Sequence, residues 1–266
     1  MDWNTFASLW SWDPSVIAGT LLLELAYLYF ARRASPGKKV LFSSGLVVMF
    51  IALESPLETL GDTYLFSAHM LQHLLLILAV PPLLLSGIPP ELMESILRIP
   101  GISRMESVLG RPVVAWFTGA VTLWAWHLPV FYNATLANES IHILEHLTFL
   151  VSATIFWWPM WAPIEGLRLS PIWSVPYMFA GAASSSILGI LLTFAKPGLY
   201  PAYLHPDDPY GVLNLIRNTW GLNAAADQQY GGLLMWIPGG LVYTLAALGG
   251  LARWYAAPEE DLHLKS

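Results

Sequence analysis

The sequence predicts an all-α polytopic membrane protein, a bundle of seven transmembrane helices with its N-terminus outside and its C-terminus inside. Three observations predict it. The chain is too apolar for a globule in water, its apolar residues fall into long runs, and its basic residues alternate between the connections.

Of 266 residues, 56% are hydrophobic and only 11% charged, and the mean hydropathy is +0.55. A soluble domain carries about 25% charged residues, so lipid is the solvent this composition suits. The net charge of −6 gives no electrostatic footprint for nucleic acid. The absence of cysteine excludes disulfides, thiolate metal sites and cysteine nucleophiles. Any metal must be held by His, Met or carboxylate. The 13 Trp and 11 Tyr fit two aromatic interface belts. Residues 1–14 show no basic n-region, so no cleaved signal peptide is predicted.

A helix needs about 20 apolar residues to cross the hydrocarbon core. Seven runs qualify, at residues 15–31, 40–53, 64–86, 112–131, 141–158, 173–195 and 232–255. The first carries Glu24, expected to face the bundle interior without an obvious partner. The second is short. The third holds Pro81 and Pro82 near its end, tolerated where neighbours meet the freed carbonyls. The fifth ends at Trp157, Trp158 and Pro159. Ser184, Ser185 and Ser186 in the sixth, beside Gly181 and Ala182, permit close helix packing. Ten Lys and Arg residues fall on one side of this alternation: Arg32, Arg33, Lys38, Lys39, Arg98, Arg104, Arg111, Arg168, Arg253 and Lys265. Only Lys196 and Arg217 fall on the other, which places the N-terminus outside and the C-terminus inside. Residues 91–110 read as an amphipathic helix along the inner interface. Residues 197–231 read as an ordered external cap. Residues 1–266 read as one domain.

Titratable groups within a bilayer are costly and point to function. His69 and His73 open the third span, His127 lies near the outer end of the fourth, and His142 and His146 open the fifth. At 1.5 Å rise per residue all five fall in roughly the outer third of the membrane. His69/His73 and His142/His146 share an i, i+4 spacing, which stacks each pair on one helix face. Imidazole suits copper, zinc, iron and nickel, and the thioether of the adjoining Met70 suits Cu(I). Glu145 adjoins the second pair as an orienting acceptor or a ligand. Asp62, Asp227, Gln228, Gln229 and Met235 border the same region. A lone membrane histidine is commonly a packing or hydrogen-bonding residue, and His127, before Leu128-Pro129, also suits a structural role. His205 and His263 read as solvated, Met178 and Met235 as packing residues.

The run His69-Met70-Leu71-Gln72-His73-Leu74-Leu75, followed by Pro81-Pro82-Leu83-Leu84, resembles the signature of the polytopic CtaG proteins. These are bacterial cytochrome c oxidase assembly factors of the plasma membrane, distinct from the single-span copper proteins sharing that name. Trp126-His127-Leu128-Pro129 followed by His142-x-x-Glu145-His146, and Asp227-Gln228-Gln229 before the last span, are similar to further blocks of that family. The resemblance covers nearly the whole chain. It implies a non-enzymatic role in maturing a haem–copper oxidase, with oxidase subunits as partners. It also implies copper, as Cu(I), at His69, Met70, His73, His127, His142 and His146, with Glu145, Asp62, Asp227 and Gln228 in support. The residues alone keep two other readings open. One is an intramembrane zinc-dependent hydrolase, which His69, His142, His146 and Asp227 would serve, since His142-Ile-Leu-Glu-His146 matches the H-x-x-E-H order. The other is a haem-binding electron carrier, for which paired histidines at i, i+4 are poorly spaced. No oligomeric state follows from the residues.

Overall fold

A computed structural model describes residues 3–256. His263 and Lys265 lie outside them. Thirteen α-helices, with short 3-10 and π turns, make up the fold, and no strand occurs among the described residues. The helices are α1 (Trp3–Ser8), α2 (Pro14–Phe30), α3 (Pro36–Glu54), α4 (Pro56–Thr63), α5 (Phe66–Leu74), α6 (Val80–Gly87), α7 (Pro90–Leu97), α8 (Pro100–Leu109), α9 (Pro112–Trp126), α10 (Pro129–Ala137), α11 (Glu139–Trp161), α12 (Pro171–Phe194) and α13 (Ala224–Tyr255).

Five rods are long and apolar enough to cross a membrane: α3, α5–α6 taken together as Phe66–Gly87, α11, α12 and α13. A sixth arises if α8 and α9, bent by 80°, count as one span. At 17 residues α2 is a shorter apolar helix. Proline sets several of these limits. Pro129 holds Leu128 extended, so α9 stops at Trp126 and α10 begins where the fourth predicted span, 112–131, should end. Pro100 does the same to Ile99, dividing the predicted amphipathic helix 91–110 into α7 and α8. The last helix starts at Ala224, eight residues before the predicted 232, because the Asn223 side chain accepts the Ala226 amide as a cap.

The α5–α6 rod contains Pro81 and Pro82, preceded by a π turn at Leu75–Ala79. Pro81 has no amide to offer the carbonyl four residues back, that of Ile77. The Trp157 indole on α11 donates to that carbonyl instead, at 2.8 Å. At the other end of α6, Lys38 donates to the Ser86 and Ile88 carbonyls and the Tyr27 hydroxyl to Gly87. Glu24 has a partner after all: Ser43 on α3 donates to its carboxylate at 2.7 Å.

The α12–α13 pair packs backbone to backbone. A Cβ on Gly189 would meet the Trp236 amide nitrogen at 2.7 Å, so glycine alone permits the approach. Ser184 accepts a hydrogen bond from the Trp124 indole, a role beyond the packing expected of the serine run. The segment between α12 and α13 is folded onto the helix ends, burying Tyr200, Tyr203, Val212 and Ile216.

Trp157→Phe keeps an aromatic ring but removes the indole donor and some buried volume, leaving the Ile77 carbonyl unmet. It is expected to destabilise the fold by about 1–3 kcal/mol, read as a lower unfolding midpoint in detergent.

Candidate metal centre

The centre is assembled on α5, which enters beside α4 and faces α11. No side chain within α5 caps its N-terminus. The cap comes from α13, where the Asp227 carboxylate accepts the Phe66 and Ser67 amides at 2.8 and 3.1 Å and the Ser67 hydroxyl at 2.5 Å. A carboxylate at this end also complements the helix dipole. Gly61 lets α4 lie directly on α5, since a Cβ there would meet the His69 backbone at 3.0 Å. These two contacts fix where His69 and His73 stand.

The i, i+4 pairs stack as the spacing requires, with ring centroids 4.2 Å apart in both His69/His73 and His142/His146. The pairs also face each other across the α5–α11 interface. His69 is 5.5 Å from His142 and His73 is 5.7 Å from His146, centroid to centroid. Glu145 lies between them, its Oε2 3.5 Å from His69 Nε2 and 3.8 Å from His73 Nε2. One donor atom each from His69, His142, Glu145 and His146 lies within 4.8 Å of all the others. All four side chains are buried.

A second acidic edge adjoins this group. His142 Nε2 lies 3.2 Å from Asp62 Oδ1, and its Nδ1 lies 3.8 Å from Glu58 Oε1. Glu58 is held by the Gln72 amide, which also donates to the Ala52 carbonyl. Burial, with the charges of Glu139 and Glu145 nearby, pushes the Asp62 carboxyl up to about 8. Burial and then the neighbouring Asp62 push Glu58 well up too.

Most notable is what the donors lack. Both ring nitrogens of His73 and Nε2 of His146 make no hydrogen bond among the described residues, and ring nitrogens of His69, His73 and His142 stand 3.2–3.8 Å from the Glu145 and Asp62 carboxylates without well-formed hydrogen bonds to them. Each unmet buried polar group costs about 1–3 kcal/mol, and a cation is what such a donor set fits. Nitrogen and carboxylate oxygen suit divalent zinc, copper or iron.

His127 and Met70 stand at one side of the group. His127 Nε2 is 3.3 Å from Met70 Sδ and its Nδ1 is 2.7 Å from the Leu123 carbonyl. The His127 and His73 rings are 6.1 Å apart. Two other expected contributors are not brought in. Asp227 is engaged at the start of α5. Gln228 clamps the segment that follows α12, accepting the Gly198 and Leu199 amides and donating to the Ala195 and Lys196 carbonyls. Both support the architecture rather than the donor group. The zinc-hydrolase ligand set is corrected accordingly, since Asp227 is engaged elsewhere. Met178 and Met235 lie in apolar clusters, and His205 is exposed. Glu58 was missed from the sequence, although Glu58 and Asp62 repeat the i, i+4 spacing of both histidine pairs.

Several helices long and apolar enough to cross a membrane thus surround a buried imidazole–carboxylate group, the arrangement of a multi-pass membrane protein. The family described as cytochrome c oxidase caa3 assembly factor (Caa3_CtaG) matches residues 25–257, and the chain belongs to it. The chain is 23% identical over 289 residues to the Mycobacterium leprae protein named uncharacterized protein ML1998, covering 98% of this chain and 42% of that protein. Uncharacterized protein Mb0105 of Mycobacterium bovis is also 23% identical, over 287 residues, covering 97% of this chain and 42% of that one. The chain thus spans 42% of the length of these curated relatives. No solved structure matches it.

Asp227→Ala removes the carboxylate that caps α5. Hydrogen bonds to charged groups contribute about 1.5–3 kcal/mol, so a loss of at least that size is expected in the unfolding midpoint measured in detergent.

Proposed function

We propose that the chain is an assembly factor for a haem–copper cytochrome c oxidase that holds copper near the outer face of the membrane and helps deliver it to the oxidase. Copper here is cargo, taken up as Cu(I) from the outer side and passed on without catalysis. The candidate residues are His69, Met70, His73, His127, His142 and His146, with Glu145 and Asp62 beside them. The partners are oxidase subunits. Family membership supports the destination. The observation that carries metal binding is the set of donors from His69, His142, Glu145 and His146, mutually within 4.8 Å, buried, and including ring and carboxylate atoms without partners; the Met70 thioether beside them is what suits Cu(I).

The reading includes a single seven-helix membrane domain in a bacterial plasma membrane, N-terminus outside and C-terminus inside. In it α2 and the bent α8–α9 pair join the five long rods, and the ten-to-two charge bias supplies the direction. The Cys-free chain makes this testable by single-cysteine labelling. Ser8→Cys is expected to react with an impermeant maleimide in intact cells, and Gly37→Cys only after lysis. The reverse pattern overturns the orientation.

For the cargo, the purified protein is expected to carry copper by mass spectrometry, and the His73→Ala/His146→Ala double variant to lose most of it. Oxidase copper content should fall in cells carrying that variant. Absence of copper from the wild type, together with unchanged oxidase copper in the variant, would sink the proposal. One observation favours a second reading, an intramembrane zinc hydrolase: Glu145 of the H-x-x-E-H run stands inside the donor group. Zinc in the purified protein, with hydrolysis abolished by Glu145→Gln, would select it.

A further inference from the structure

We propose that Met70 and His127, with His73, form a separate soft-cation site selective for a monovalent ion such as Cu(I), alongside the harder imidazole–carboxylate group. The inference deepens the copper reading above, and rests on it for what the ion is used for.

The argument begins with a proton. The Leu123 carbonyl can only accept, so the 2.7 Å contact requires His127 Nδ1 to carry the hydrogen. A neutral imidazole has one N–H. His127 Nε2 therefore presents a lone pair, and what it faces at 3.3 Å is the Met70 sulfur. A thioether has no proton to give. Two electron-rich atoms are thus held together in a buried place, Met70 being wholly inaccessible.

Packing enforces the contact. Met70 sits in the cluster with Phe66, Tyr132 and Met235, and a Cβ on Gly231 would meet its Cγ at 3.2 Å. The His127 backbone is tied down by the Tyr200 hydroxyl, which donates to its carbonyl at 2.8 Å. A cation shared by nitrogen and sulfur would turn this contact into coordination. With ligand distances of about 2.0 Å to nitrogen and 2.3 Å to sulfur, a separation of 3.3 Å subtends about 100° at the ion, near the tetrahedral angle. That geometry calls for a further ligand. His73 lines the same small cavity as Met70 and His127, and both its ring nitrogens are unpartnered.

The two donor sets differ in hardness. The thioether selects Cu(I), whereas carboxylates beside imidazoles suit divalent ions. His73 borders both, 3.8 Å from Glu145 on one side and next to His127 on the other. The molecule thereby offers a divalent ion and a monovalent ion different places.

The full-length protein in detergent is titrated with Ag(I), a redox-inert soft ion, and with Co(II). Met70→Leu is expected to lose one equivalent of Ag(I), and the sulfur scatterer in its silver X-ray absorption spectrum, while keeping Co(II) binding. Glu145→Gln is expected to weaken Co(II) at least tenfold and leave Ag(I) stoichiometry intact. His127→Gln serves as a second variant should Met70→Leu fail to fold, with the same loss of Ag(I) expected. Unchanged Ag(I) binding in the Met70 or His127 variant, no Ag(I) binding by the wild type, or equal loss of both ions in Met70→Leu would each overturn the proposal. Met70-dependent Ag(I) binding without any Co(II) or copper at the imidazole–carboxylate group would uphold this site while defeating the reading of that group as a copper holder.

Discussion

Inside an apolar bundle each polar atom must find its partner within the protein, and much of this structure follows from that demand. The Ile77 carbonyl freed by Pro81 is met by Trp157. The last carbonyls of α6 are met by Lys38 and Tyr27. The first amides of α5 are met by Asp227. Even Glu24 in the first helix accepts a hydroxyl from its neighbour. Against that background the unpartnered imidazoles and the Glu145 carboxylate stand out. The same chain that sends a tryptophan across to one lone carbonyl leaves this cluster of donors unmet, and the metal proposal rests on that contrast.

The segment between α12 and α13 belongs to the same construction. Tyr203 donates to the Gly61 carbonyl, one turn before the end of α4, and exchanges a hydrogen bond with Tyr132 on α10. Tyr200 reaches the His127 carbonyl. Arg217 holds the Tyr203 carbonyl, and Gln228 gathers the strand of chain that leaves α12. The cap is therefore fastened to the backbone of the helices that carry the donors. The accessible edge is Asp62, whose side chain is 32% exposed while His69 and Glu145 are fully covered.

Much of this was legible in the sequence, because length and apolarity define membrane helices and a 3.6-residue period places i and i+4 on one face. The cores of the long helices and the meeting of two histidine pairs followed from those rules. The breaks at Pro100 and Pro129 were written in the residues, but their effect was masked by the apolar runs around them. The early start of α13 depended on one Asn223 cap inside what reads as loop. Asp227 looked like a possible ligand because nothing local reveals that its carboxylate closes a helix 160 residues earlier in the chain. Glu58 was readable from its spacing to Asp62. It was passed over because it lies outside the apolar spans, where a carboxylate is unremarkable. Tertiary contacts, not local propensity, decided each of these cases.

The π turn at Leu75–Ala79 has a geometric meaning of its own. An α-helix is a ruler with fixed phase, and one inserted residue turns everything beyond it by about 100°. The histidines of α5 must point at α11, while Pro81 and Leu85 must nest among the buried side chains deeper in the rod. A perfectly regular helix would tie these two bearings together. The extra residue works as a vernier between them, so that the donor-bearing half can be aimed independently of the half that packs.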